Sequence, residues 1–176
     1  MKKAGINWLA YGFESGSKRV IENVTKGYKL EEVEKVVRMT YDAGIYICGN
    51  YIFGLPEDDQ DSMNETLKLM LDVNAEWANI YSAMAYPGSK LYEIAVETNW
   101  PLPDRWEGYS QYSYESRPLP TKYLTSGEVL GFRDYAFNAY YRSPRYLDKI
   151  RRLFGDETVR HIKKMTEHKM QRKYVL

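Results

Sequence analysis

Three short segments gather the residue types able to handle a small polar ligand. The first, Gly12-Phe13-Glu14-Ser15-Gly16-Ser17, follows an apolar run and sets a carboxylate among hydroxyls. A carboxylate there can accept hydrogen bonds from both hydroxyls of a ribose. The same residues also fit a helix cap, with Ser15 or Ser17 closing a helix from Lys18 and Glu14 at a solvated edge. The second runs from Asn50 through Ile52-Phe53-Gly54-Leu55-Pro56 to the acidic Glu57-Asp58-Asp59. An Asn inside an apolar run needs partners for its amide, supplied by a ligand or a neighbouring loop. Gly54 permits a sharp exit, which Pro56 stiffens. The acidic trio complements the dipole of a helix N-terminus. The third, Tyr86-Pro87-Gly88-Ser89, either presents backbone groups that can read an adenine edge or makes an ordinary turn into a helix.

Other chemistries are excluded by composition. The 176 residues include 1 Cys and 2 His, too few for a disulfide scaffold or a four-cysteine metal site. Neither standard Gly-rich phosphate loop is present. His161 and His168 read as surface or packing residues, and no catalytic triad assembles around them. Cys48 reads as a small buried apolar residue.

The three segments need a scaffold. Apolar runs at 8–13, 45–53 and 77–85 are short and rich in β-branched and aromatic residues. Their continuous apolarity predicts strands buried on both faces. Between them, Leu30 to Ala43 and Asp61 to Val73 carry apolar residues at helical spacing. Gly44 suits the end of the first helix, and a third helix follows Ser89. Strand and helix alternate, so the expected fold is α/β with a parallel sheet. In such sheets ligands bind beyond the carboxyl ends of the strands, where all three segments fall.

The remainder differs. Pro101, Pro103, Pro118 and Pro120 stud an aperiodic, Tyr-rich stretch, read as an ordered connector. Thr125 and Glu128 fit a capping box opening a helix that runs to about Tyr141. Pro144 opens another, and Asp156 caps a last one after Gly155. The expected divisions are 1–98, a connector at 99–124, and a helical extension at 125–176.

Charge is uneven. From Arg142 onward there are 11 Lys/Arg against 4 Asp/Glu, and before it 14 against 20. The basic residues alternate with apolar ones at helical spacing, so they read as a solvated helix face rather than a nucleic-acid surface. Hydrophobic residues make up 44% of the chain and charged ones 28%, which suits a folded core. No apolar run approaches the roughly 18 residues of a membrane span, and the start lacks a secretory leader. The expectation is a soluble, cytoplasmic protein.

In order and approximate spacing, the three segments resemble strands four, five and six of the partial (β/α)6 barrel of radical S-adenosylmethionine (SAM) enzymes. The resemblance spans roughly residues 5–98. Ser116 to Leu124, Phe132-Arg133-Asp134 and Phe154-Gly155 resemble the C-terminal extension of the subgroup that carries a cobalamin-binding domain. The resemblance implies a partial (β/α) barrel formed by the last three βα units, followed by an α-helical extension. It implies that Glu14 and Ser15 bind the ribose of SAM. Asn50 and Ile52 would lie beside the adenine and methionyl groups, the backbone of Tyr86 would meet the adenine, and Lys26 would approach the SAM carboxylate. In the family a [4Fe-4S] cluster, held by Cys-x3-Cys-x2-Cys, cleaves SAM to a radical that attacks a small-molecule substrate.

This chain departs from that pattern, because one cysteine cannot hold such a cluster. The expectation is a fragment, inactive alone, completed by a missing N-terminal half or a separate chain. The alternative is a non-catalytic nucleotide- or SAM-binding module, or a helical interaction module that binds nucleic acid through its basic helices. The strand from Trp8 would lie at an unprotected sheet edge, favouring self-association. Phe13, Tyr51, Phe53 and Met84 would face an uncovered barrel interior.

Overall fold

The computed structural model describes residues 1–23 and 29–175. Lys26, assigned above to the SAM carboxylate, lies outside the described residues. Three parallel strands form the sheet in the order β1 (Trp8–Glu14), β2 (Tyr46–Phe53), β3 (Trp77–Ser82). Parallel neighbours require crossovers. The short α1 (Lys18–Glu22) and α2 (Val33–Asp42) lie between β1 and β2, and α3 (Gln60–Val73) between β2 and β3. After β3 come α4 (Lys90–Glu97), α5 (Ser126–Tyr141) and α6 (Pro144–Glu167).

Local chemistry sets the helix ends. Asp59 caps α3, accepting from the Ser62 N–H at 2.8 Å while Ser62 Oγ accepts from the Asp59 N–H. Met63, Leu67 and Met70 then fall on one buried face. Gly44, left-handed at φ 70°, ends α2 with its N–H on the Tyr41 carbonyl. Thr125 and Glu128 form the expected capping box on α5. Pro144 begins α6, and the backbone breaks from helical geometry at Gly155 (φ 82°, ψ 175°). The long terminal helix is therefore two segments meeting at that residue. The connector, 99–124, holds one short 3-10 turn, Trp106–Tyr109.

The expectation of strands buried on both faces needs correction. Burial alternates strictly along β2: Ile47, Gly49, Tyr51 and Phe53 are buried, whereas Tyr46, Cys48, Asn50 and Ile52 are half-buried. The strand period of two sends alternate side chains to opposite faces. One face is packed by α2, α3, α5 and α6, and the other is largely uncovered, met at its amino end by Phe154 of α6, which lies against the Trp8 and Tyr46 rings. Phe13, Tyr51 and Phe53 lie on the packed side, so these three face no open interior, whereas Met84, though buried, lines a cavity at the strand ends. The uncovered face carries instead Trp8 and Trp77, 44% and 37% exposed, with Ala10, Gly12, Cys48 and Asn50 between.

α5 and α6 join the same core through Phe132, Ala136, Tyr140, Tyr141, Tyr146 and Ile150. Their buried phenols donate to backbone carbonyls beneath the sheet: Tyr140 to Ala75 at 2.6 Å and Tyr146 to Glu76 at 3.2 Å. Side chains also close the outer edge of β3. Tyr141 Oη accepts from the Ala78 N–H and donates to the Ala78 carbonyl, at 3.1 and 2.7 Å. Arg133 Nε donates to the Ile80 carbonyl, and the Gln111 amide accepts from the Ser82 N–H while donating to its carbonyl. The Ala78 and Ser82 groups and the Ile80 carbonyl of that edge are thus satisfied without another strand.

Candidate functional site

The carboxyl ends of the strands carry the segments singled out above. At the end of β1 the register slips: Gly12 faces Asn50, yet Glu14 faces Tyr51, so an extra residue bulges out. Glu14 follows the bulge with φ 57°, a left-handed conformation that costs a non-glycine residue about 1 kcal/mol. Backbone strain of this kind collects at ligand sites.

Ser15 does not share that position. It is fully buried, its hydroxyl lies 3.0 Å from that of Thr66 on α3, and its Oγ accepts from the Ser17 N–H. The Ser15 hydroxyl, expected at the ribose, is thus engaged by Thr66 and Ser17 within the fold. The Gly16 N–H also donates to Thr66 Oγ1, at 2.9 Å. A Cβ on Gly16 would sit 2.4 Å from the Glu65 carbonyl oxygen. Close backbone approach to α3, rather than turn geometry, is what requires glycine there. Thr66 carried no signal in sequence beyond its place on a helix.

At the end of β2, Gly54 turns with φ 81°. Asp58, wholly buried, accepts from the N–H groups of Gly54 and Leu55 at 3.0 and 2.9 Å and from the Ser62 hydroxyl at 2.6 Å. Burial pushes its carboxyl above the ordinary range, against the downward pull of those donors. Asp58 and Asp59 thus build the turn and cap α3, as expected of a helix N-terminus, and Glu57 pairs with Lys122.

Asn50 satisfies its amide within the protein. Its Nδ2 donates to the Tyr11 carbonyl at 3.1 Å, and its Oδ1 accepts from Asn79 Nδ2 at 2.9 Å. Asn79 Oδ1 in turn accepts from the Trp77 indole. The two Asn side chains lie side by side in register on the uncovered face, a polar strip across an apolar surface. Cys48 borders it. Its thiol is half-buried rather than fully enclosed, and burial pushes its pKa up.

A cavity of about 350 Å³ opens at the ends of β2 and β3. Ile52 and Tyr86 line it, together with Tyr81, Ala83, Met84 and Gln111. That volume falls within the range of small-molecule sites. The Tyr86 carbonyl accepts from the Ser89 N–H, whose side chain caps α4, and its ring is half-exposed beside Tyr109. Two of the sequence-derived residues, Ile52 and Tyr86, therefore meet in one cavity. Asn50 lies one pleat behind Ile52 on the same face, while Glu14 is not among the residues lining the cavity. Gln111 and Tyr81 escaped the sequence reading. Gln111 sits in an aperiodic connector where nothing marks it, and Tyr81 reads as one more aromatic in an apolar run.

No family model matches the chain. It is 26% identical over 149 residues to an uncharacterized methyltransferase of Pyrococcus horikoshii, covering 85% of this chain and 32% of that protein. It is 24% identical over 161 residues to the anaerobic magnesium-protoporphyrin IX monomethyl ester cyclase of Rubrivivax gelatinosus, covering 87% and 28%. It is 29% identical over 86 residues to the tRNA-2-methylthio-N(6)-dimethylallyladenosine synthase of Pectobacterium atrosepticum, covering 48% and 18%. The chain thus spans about a third or less of the length of these relatives. No helix among the described residues is long and apolar enough to cross a membrane.

Proposed function

We propose that this chain is the SAM-positioning portion of a radical SAM enzyme of the methyl- or methylthio-transferring kind, its sheet continued beyond β1 into a (β/α) barrel by polypeptide outside this chain. The observation that carries the reading is the cavity at the carboxyl ends of β2 and β3, where Ile52 and Tyr86 meet. The sequential parallel order of the three strands and the names borne by the relatives support it.

The chain's own residues suit a nucleoside. Ile52, Ala83 and Met84 offer an apolar wall to a purine. Glu14, on its strained bulge, is the carboxylate for the ribose hydroxyls. The uncovered face, with its Asn50–Asn79 strip, is the wall of the substrate chamber. SAM supplies the reactive group when bound, and the protein's part is orientation and exclusion of water. The residues present do not fit an iron–sulfur cluster, since cluster ligation needs several thiolates and Cys48 is the only one. The cluster belongs to polypeptide outside this chain, as does any cobalamin.

Calorimetry with SAM tests the reading. The full chain should bind SAM, and Glu14→Gln should weaken binding at least about tenfold, the worth of one charge-assisted hydrogen bond. Absence of binding, or equal affinity in the variant, would sink it.

A further inference from the structure

We propose that the cavity between α5 and the C-terminal tail is a second ligand site, independent of the SAM reading, and that it takes an organic acid: one carboxylate on an apolar, ring-sized body. The cavity measures about 580 Å³, and none of Glu14, Asn50, Ile52 or Tyr86 lines it. Its wall includes Arg133, a side chain only 1% exposed.

A guanidinium has five N–H donors. Arg133 Nε donates to the Ile80 carbonyl and Nη1 to Asp134 Oδ1, both at 2.8 Å. Its Nη2 has no acceptor among the described residues. The Tyr112 and Phe137 rings flank the group, 5.5 and 5.6 Å from Cζ. Asp134 cannot neutralise Arg133 alone, because Arg172 takes both its oxygens, Nε on Oδ2 at 2.9 Å and Nη2 on Oδ1 at 3.0 Å. Arg172 is itself buried and spends Nη1 on the carbonyls of Gln111 and Ser113. Among the described residues, two buried guanidiniums therefore share one carboxylate, which leaves one positive charge at the cavity wall.

Unbalanced buried charge is costly, and an incoming carboxylate on Nη2 would balance it. Lys169, at the exposed rim, adds attraction. Tyr135, Phe137, Met165, Met170 and Val175 add an apolar wall beside the polar Asp134, Asn138, His168 and Arg172, and that wall favours an apolar body over a compact, doubly charged phosphate.

Gly131 provides a clean block. It lines this cavity, and a Cβ there meets only Val175 Cγ1, at an ordinary 3.6 Å. Gly131→Leu fills the space without touching a hydrogen bond, and it removes a glycine from a helix interior. The full chain is titrated with benzoate, benzamide and inorganic phosphate, following the Arg133 Nε–H resonance and the melting temperature. Benzoate should bind saturably and shift that resonance. Benzamide and phosphate should bind at least about tenfold more weakly, the worth of the charge-assisted bond and of the apolar contact respectively. Gly131→Leu should melt no lower than wild type and lose benzoate binding. Lys169→Gln, an exposed change that spares the fold, should weaken benzoate severalfold. Equal affinity for benzamide or phosphate, no saturable benzoate binding, or benzoate binding indifferent to both variants would overturn the proposal.

Discussion

Glu14 concentrates the argument at a single residue. Its left-handed backbone is unfavourable for any side chain bearing a Cβ, and glycine would relieve it. If the side chain serves a ligand, stability and binding should move apart in Glu14→Gly. The melting temperature should hold or rise, consistent with roughly 1 kcal/mol of relieved strain, while SAM affinity falls about tenfold. Thermal melts and calorimetry on the same preparation check this. A large loss of stability would instead make Glu14 a structural residue. The strain was not legible from sequence, because the bulge that creates it depends on how β1 meets β2. Ser15 teaches the same lesson in reverse. Its type and position suit a ribose, yet Thr66, fifty-one positions away, takes its hydroxyl.

Among the elements, the loop after β1 and the helix caps carry the clearest consequences. Gly16 presses against the backbone of α3, so Gly16→Ala must displace main chain rather than a flexible side chain. A loss of about 2–4 kcal/mol is expected, measured by urea unfolding. A loss under about 0.5 kcal/mol, the usual bound for surface changes, would show that the loop yields freely. The caps predict a pH dependence. The Ser62 N–H holds the Asp59 carboxyl below its ordinary value, and the Thr125 N–H does the same for Glu128. A depressed folded pKa contributes stability that is fully present above the unfolded carboxylate range near about pH 4. It is lost as pH falls through the lower folded values. Melting temperatures from pH 5 down to about 2 should fall more steeply in wild type than in an Asp59→Asn, Glu128→Gln double variant. Parallel slopes would contradict the assignment. The Thr125–Glu128 box was readable directly, since a capping box is local chemistry, whereas at Asp59 only an acidic helix N-terminus was.

For the molecule as a whole, the two sheet edges differ in kind. Side chains from α5 and the connector occupy the outer edge of β3. At the other edge, the Tyr46 N–H donates to the Asn7 carbonyl, so odd-numbered residues of β1 face β2 and the backbone groups of Trp8, Ala10 and Gly12 point outward. No strand pairs with that edge among the described residues. It borders a face bearing exposed Trp8 and Trp77. We propose self-association there for this chain in isolation. Sedimentation should reveal concentration-dependent association, and Ala10→Lys, which places a charge on the edge strand, should abolish it without lowering the melting temperature. A monomer at all concentrations would refute this.

The order of strands and helices, the Thr125–Glu128 capping box and the clustering of the three loops at one end of the sheet were legible in the chain. Each follows from local propensity or from the rule that parallel neighbours need crossovers. The Ser17 cap expected for α1, by contrast, forms no side-chain bond. The faces were not legible. In β2 an apolar run conceals an alternation that appears only once helices cover one side, so Tyr51 lies inside while Asn50 lies on the open surface. Nor could sequence reveal that Arg133, Asp134, Arg172 and Gln111 form one buried group around β3. Residues dozens of positions apart meet there only after α5 and the tail fold back on the sheet, and their charges acquire meaning only in the low-dielectric surroundings that this packing creates.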